Sequence, residues 1–353
     1  MEFPGKINCF YEQGDVTSIT SIIKNRQGDE FEILAAKILV SFFMGDMKEY
    51  AKLLGELEDM AYEKNEKKVF PFLHLRRHLL YLYNEEYEKA IEELYCVRSN
   101  ALALNYKDYI IKSDFQEIEI NTYYLRDFKK AINLLSKQEI DNDVIKAYHF
   151  ISLAYIYSYN DLDRAKVYLE NFLDVLNELD DKGPFYEGLI KKVCIVLLNI
   201  KDLKKLPEYI SLITEGSDDW YIINGLYNYQ ISNYKKAEEL FHEAREKFHH
   251  LKKFDEYWLK FFLMMGDITE KKGDNKKAKT YYNDMLEQLD YLYSKLDLPE
   301  NQKKFRDFFS KYVYAAIFFF RRNKDFDKLQ EVIDKYTSSM LYGDKPDVRQ
   351  IVV

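Results

Sequence analysis

The sequence predicts an all-α chain of consecutive helical hairpins, and three observations carry that prediction. The first is a recurring turn. Gly14-Asp15, Gly45-Asp46 and Gly273-Asp274 each close one apolar segment and open another. Asn160-Asp161, Ser232-Asn233 and Lys324-Asp325 are worn copies of the same pair. The second is register: a small or apolar residue follows five positions after the first member of each pair. Repetition of one turn and one anchor is the mark of stacked supersecondary units. The third is composition. Six Pro and 12 Gly in 353 residues are too few for a loop-rich β-sandwich or barrel, whereas a 47% hydrophobic chain can fill a continuous core.

The anchor occurs nine times, at Ile19, Tyr50, Ala90, Ala131, Ala165, Leu206, Ala237, Ala278 and Leu329. Successive steps are 31, 40, 41, 34, 41, 31, 41 and 51 residues, so helices and loops vary in length. The expected hairpins span 6–25, 30–63, 68–101, 106–137, 143–178, 185–214, 218–251, 255–293 and 301–337. Asp180-Asp181-Lys182-Gly183-Pro184 breaks the chain near its middle, since Gly and Pro end helices. Gly216-Ser217-Asp218 is a second break, with Ser217 or Asp218 able to cap the next helix. Leu298-Pro299-Glu300-Asn301 is a third. Pro207 follows the anchor Leu206 and is expected in a first helical turn, where its missing N–H is harmless. None of the breaks is long enough for a flexible linker. Residues 1–340 therefore read as one array with a bend near 180–184, and 341–353 as a C-terminal tail.

The segment from Asp219 to about His250 carries Gly225, Ala237, Phe241 and Ala244, at spacings of twelve, four and three. The next has Gly266, Gly273, Ala278 and Tyr282, with Met285 in the last small position. Gly and Ala permit close helix approach, and the ring fills the space between pairs. Tyr87, Ala90 and Leu94 mark a weaker copy, as do Phe128, Ala131 and Leu135. This pattern resembles the tetratricopeptide (TPR) repeat, most clearly between 219 and 285. The resemblance implies an α-solenoid of about eight or nine TPR-like hairpins forming a right-handed superhelix. It also implies that the first helix of each pair lines a concave surface. Counting from the anchors, the inward positions are Gln116, Tyr123, Tyr124, Tyr157, Asn199, Tyr229, Gln230, Asp267 and Lys271. Tyr rings and Asn/Gln amides suit an extended peptide, so a protein or peptide partner is expected. The long repeats are similar to the sensor arrays of MalT-type bacterial activators, and the groove to those of peptide pheromone receptors. Either likeness implies a regulatory sensor. A structural oligomerisation scaffold is the alternative: Phe318, Phe319 and Phe320 cannot all face one side of a helix, which leaves room for a homodimer through the C-terminal helices.

Other functions find little support. A formal charge of −8, with Lys interleaved among Glu and Asp, argues against direct nucleic-acid binding. Lys247, His249, His250, Lys252 and Lys253 form the densest basic run and read as a solvated helix end. His242-Glu243 starts like a zinc-protease helix, but position 246 is Glu. His74 and His78 share a helical face without a third ligand in the sequence. No phosphate loop, dinucleotide fingerprint or nucleophile elbow occurs. The acids Glu92-Glu93, Glu117, Glu119, Asp180-Asp181 and Glu238-Glu239 read as solvated helix faces, so no catalytic residue, cofactor or metal is expected and the chain is read as non-enzymatic. Cys9, Cys96 and Cys194 have no paired spacing; they are expected to be buried small residues in a reducing compartment. Met1-Glu2-Phe3-Pro4 lacks a cationic leader, and Val313–Phe320 is far shorter than the roughly 20 residues of a bilayer span. A cytoplasmic, soluble protein is the expectation.

Overall fold

The computed structural model describes residues 2–12, 15–138, 140, 142–178, 186–248 and 256–337. These are helical throughout, with no strand among the described residues. The chain divides into two compact units, Met1–Val196 and Leu197–Val353. The first contains α1 (Lys6–Glu12), α2 (Val16–Asn25), α3 (Glu30–Phe43), α4 (Met47–Glu63) and α5 (Phe70–Tyr83). It continues with α6 (Tyr87–Leu104), α7 (Lys107–Glu119), α8 (Phe128–Leu135), α9 (Asp143–Tyr157) and α10 (Leu162–Glu178). Helix α11 (Tyr186–Ile200) ends the first unit and begins the second. The second holds α12 (Leu206–Ile210), α13 (Asp218–Gln230), α14 (Tyr234–Phe248), α15 (Glu256–Lys271), α16 (Asn275–Tyr293), α17 (Pro299–Arg322) and α18 (Phe326–Thr337). Sequence neighbours pack as hairpins: α3 with α4, α5 with α6, α9 with α10, α13 with α14, and α15 with α16. The second helix of a pair also packs on the first helix of the next, as α6 does on α7 and α16 on α17.

Most of the turns share one or both of two pieces. The residue five before the anchor takes the left-handed conformation: Gly45, Glu85, Arg126, Lys201, Ser232, Gly273 and Lys324 all have φ between 55° and 80°. In several turns the next residue caps the second helix, whereas Glu86 before α6 makes no side-chain cap. Asp46, Asp127 and Asp274 accept a hydrogen bond from the backbone N–H three residues on, at 3.0 Å each. Asp15 and Asp161 do the same for Ser18 and Arg164, at 2.9 and 3.1 Å. Such caps satisfy N–H groups that have no partner within the helix. The anchor then turns inward. Ile19, Tyr50, Ala90, Ala131, Ala165, Leu206, Ala237 and Ala278 are fully buried, while Leu329 in the final hairpin is half-buried. Ser217 caps α13 through its hydroxyl, and Pro207 lies in the first turn of α12.

Several expectations change. Cys194 is buried, but Cys9 and Cys96 are exposed, because they fall on the outer sides of α1 and α6. The hairpin expected at 185–214 has a second helix of only five residues. Helix α7 runs into a π-helical turn at Ile120–Tyr124 that the hydrophobic pattern does not announce. Phe319 and Phe320 are buried and Phe318 is half-buried. Gly14, the break at 180–184, the basic positions 249, 250, 252 and 253, and the tail 341–353 lie outside the described residues. No helix among the described residues is long and apolar enough to cross a membrane.

Candidate functional site

The predicted groove residues fall on α7, α9, α11, α13 and α15, or on the π-helical turn after α7. In the first unit that turn carries Tyr123 and Tyr124, and such turns often mark functional positions. Here the wider turn displaces the chain and splits the two rings. Tyr124 stacks on Tyr87 of α6, with centroids 4.8 Å apart and planes 17° from parallel. Tyr123 meets Tyr155 of α9 at 4.9 Å. Tyr157 stacks on Tyr168 of α10 at 5.6 Å and 7°, with the Arg164 guanidinium 5.4 Å from its ring. Gln116 has its amide oxygen 3.3 Å from His78 Nε2. Gln116, Tyr123 and Tyr124 therefore tie one hairpin to the next, Tyr157 ties the two helices of its own hairpin, and all four are half-buried.

The sequence predicts Glu117 and Glu119 as solvated acids, but Glu117 is buried and Glu119 forms the charged centre of this region. Glu119, the last residue of α7, accepts from Lys192 Nζ at 2.6 Å and from the Tyr148 hydroxyl. The Lys192 ammonium lies 4.4 Å from the Tyr148 ring centre and 5.5 Å from that of Tyr123. An ammonium held over two rings and bound to a carboxylate is a cation–π cage occupied by the protein's own side chain. Burial, reinforced by the Glu119 charge, pushes the Tyr123 and Tyr148 phenols well above their ordinary range, so both are proton donors at any physiological pH. A second centre lies one layer back. Burial would raise the Glu117 carboxyl, but hydrogen bonds from Arg98 and Lys130 outweigh it and hold the group below its usual value. The one signal that could have flagged these acids was their place on a first helix beside inward Tyr positions.

In the second unit three predicted residues do converge. Tyr229 of α13 donates to Asp267 of α15 at 2.5 Å, and Lys271, one turn further along α15, reaches the same carboxylate at 2.7 Å. Lys271 Nζ also donates to the Tyr234 hydroxyl at 3.3 Å. The hydrogen bond to Asp267 raises the Lys271 ammonium, so it stays charged. Burial, with the Asp267 carboxylate beside it, raises the Tyr229 phenol. Gln230 turns away and donates to the Leu198 carbonyl at 3.2 Å. Asn199 is half-buried near the end of α11. His74 and His78 do not converge either: His74 pairs with Glu93 at 2.6 Å, and His78 faces the Leu75 carbonyl. Among the described residues no group of three His, Cys, Asp or Glu is placed to hold a metal ion.

The described residues form packed helical hairpins in which Gly225 and Gly266 on first helices face Phe241 and Tyr282 on second helices, the close approach that the TPR resemblance implies. No family model matches the chain, and no curated protein matches it. Among solved structures the chain is similar to the crystal structure of the yeast Tom70, at 12% identity over 94% of this chain and 90% of that one, with a TM-score of 0.30.

Proposed function

We propose that the chain is a non-enzymatic adaptor or sensor that binds a protein or peptide along the first-helix faces of its TPR-like hairpins. In this reading the hairpins of each unit coil right-handedly, and the concave side is the recognising surface. The observation that carries it is the Tyr229–Asp267–Lys271 constellation, which joins two successive first helices through one carboxylate. Its hydroxyls, carboxylate and ammonium offer donors and acceptors at a spacing an extended backbone can use, next to ring faces that hold side chains. The partner is a polypeptide segment of mixed polar and aromatic character. A random peptide display library selected on the immobilised full chain tests this. Enriched peptides should lose at least about tenfold in affinity against Asp267→Ala and Lys271→Glu. No enrichment, or enriched peptides indifferent to both changes, sinks the reading.

A further inference from the structure

One hairpin is incomplete. Its second helix, α12, has five residues, whereas α14 and α16 have 15 and 19. Longer second helices such as α4 and α16 pack on the first helix that follows, α5 and α17. A helix of five residues is too short to run the length of the 13-residue α13, and among the described residues Trp220, Asn224 and Tyr227 of α13 are left half-buried. These three are four and three residues apart and hence aligned along one side. With Pro207, Ile210 and Glu215 they line an open groove of about 400 Å³. Its floor is aromatic and aliphatic, and its one charged wall is acidic. The bias extends outward: Glu208, Glu215, Asp218 and Asp219 fall between Leu206 and Asn233, a stretch without a single Lys or Arg.

We propose that this groove binds an amphipathic helix supplied by a partner protein, which takes the place of the missing turns of α12. The shortfall against α14 is ten residues, or about 15 Å of helix at 1.5 Å per residue. The occupant is therefore a segment of two to three turns. Its apolar face lies on Trp220 and Tyr227, and Asn224 offers one polar contact midway. Its flanking residues are basic, because the charged residue that lines the groove, Glu215, is acidic. This surface is separate from the Tyr229–Asp267–Lys271 face and stands or falls without it.

The test uses the full chain carrying Trp258→Phe, which leaves Trp220 as the sole indole. The probes are three synthetic peptides of about 14 residues: one with Leu along one helical face and Lys and Arg elsewhere, a scramble of it, and a counterpart with Glu and Asp. The basic amphipathic peptide should blue-shift Trp220 emission saturably, and the other two should bind at least about tenfold more weakly. Glu215→Lys should remove that preference, and Asn224→Arg should abolish binding while leaving helix content unchanged. If Trp258→Phe fails to fold, the difference between native and Trp220→Phe emission supplies the same readout. No shift at millimolar peptide, or equal binding of the scramble or the acidic peptide, overturns the proposal. So does self-association lost in Asn224→Arg, which assigns the groove to a second copy. A red shift of Trp220 on removing residues 338–353 overturns it too, in favour of the chain's own tail. Loss of binding in Asp267→Ala, with Asn224→Arg unaffected, would place the peptide on the other face instead.

Discussion

Gly225 lies directly against the ring of Phe241: a Cβ built on Gly225 would come within 2.5 Å of Cε1. The same relation holds one hairpin later, where a Cβ on Gly266 would reach 2.9 Å from the Tyr282 ring. Both rings are packed on a further side, Phe241 against Phe261 and Tyr282 against Phe319, so neither can retreat freely. Gly225→Ala is therefore expected to destabilise by about 1–2 kcal/mol, the overpacking cost exceeding the helix-propensity gain. Gly55 in α4 is the control, since nothing lies within 4 Å of its added Cβ. Gly55→Ala should stabilise by up to about 1 kcal/mol. Denaturation midpoints read both, and a stabilised Gly225→Ala would refute the close-packing account.

The turns offer a second pair of opposite effects. Lys324 adopts φ 56° with a side chain that the left-handed region disfavours. Lys324→Gly should stabilise by about 0.5–1 kcal/mol. Asp274 caps α16 through a 3.0 Å bond from the Lys277 N–H, so Asp274→Ala should cost about 1 kcal/mol. Thermal unfolding of the two variants should move in opposite directions.

That turn also shows how far the amino-acid order could be read. Gly45 and Gly273 advertise a left-handed residue, and the Asp beside each advertises a cap, so the hairpins and their buried anchors were legible. Glu85, Arg126 and Lys201 take the same conformation without any local preference for it, held there by the packing of helices on either side. The inward Tyr positions were legible as a face but not as contacts. Whether Tyr124 points to a ligand or stacks on Tyr87 depends on the π-helical turn, which no periodicity encodes. The truncation of α12 was hidden for a related reason: Ile210, Leu212 and Ile213 keep an apolar pattern going after the helix has ended at Ile210. The exposure of Cys9 and Cys96 shows the limit of reading burial from apolar neighbours, since adjacent residues on a helix point about 100° apart.

His78 predicts a pH dependence. It is buried beside the Leu75 carbonyl and the Gln116 amide, and burial, with the Arg76 charge opposing protonation, pushes its imidazole down to about 4. The unfolded chain protonates this group near 6.5, so between 4 and 6.5 it binds more protons than the folded one. The neutral form's stabilisation is therefore complete above pH 6.5 and is lost as pH falls toward 4. The full span corresponds to about 3 kcal/mol. His78→Gln, which keeps a neutral polar group, should flatten stability against pH across that window. An unchanged slope would show that His78 titrates normally.

The Lys192–Glu119 pair permits a test of whether the aromatic cage is held by charge or by packing. Lys192 is nearly buried, with its ammonium 2.6 Å from Glu119 and 4.4 Å from the centre of the Tyr148 ring. Removing the carboxylate strands both the ammonium and the Tyr148 hydroxyl in a poorly solvated place. Glu119→Ala should therefore cost about 2 kcal/mol, less than a fully buried pair because Glu119 is partly solvated. Lys192→Met keeps an unbranched chain along Tyr148 and removes the charge that needs a partner. The double variant should then be at least about 1 kcal/mol more stable than Glu119→Ala alone, since most of the penalty belongs to the uncompensated cation rather than to the lost bond. Strict additivity of the two changes would mean that Lys192 finds water when Glu119 is gone. The cage would then be an open cation site rather than a sealed joint between α7, α9 and α11.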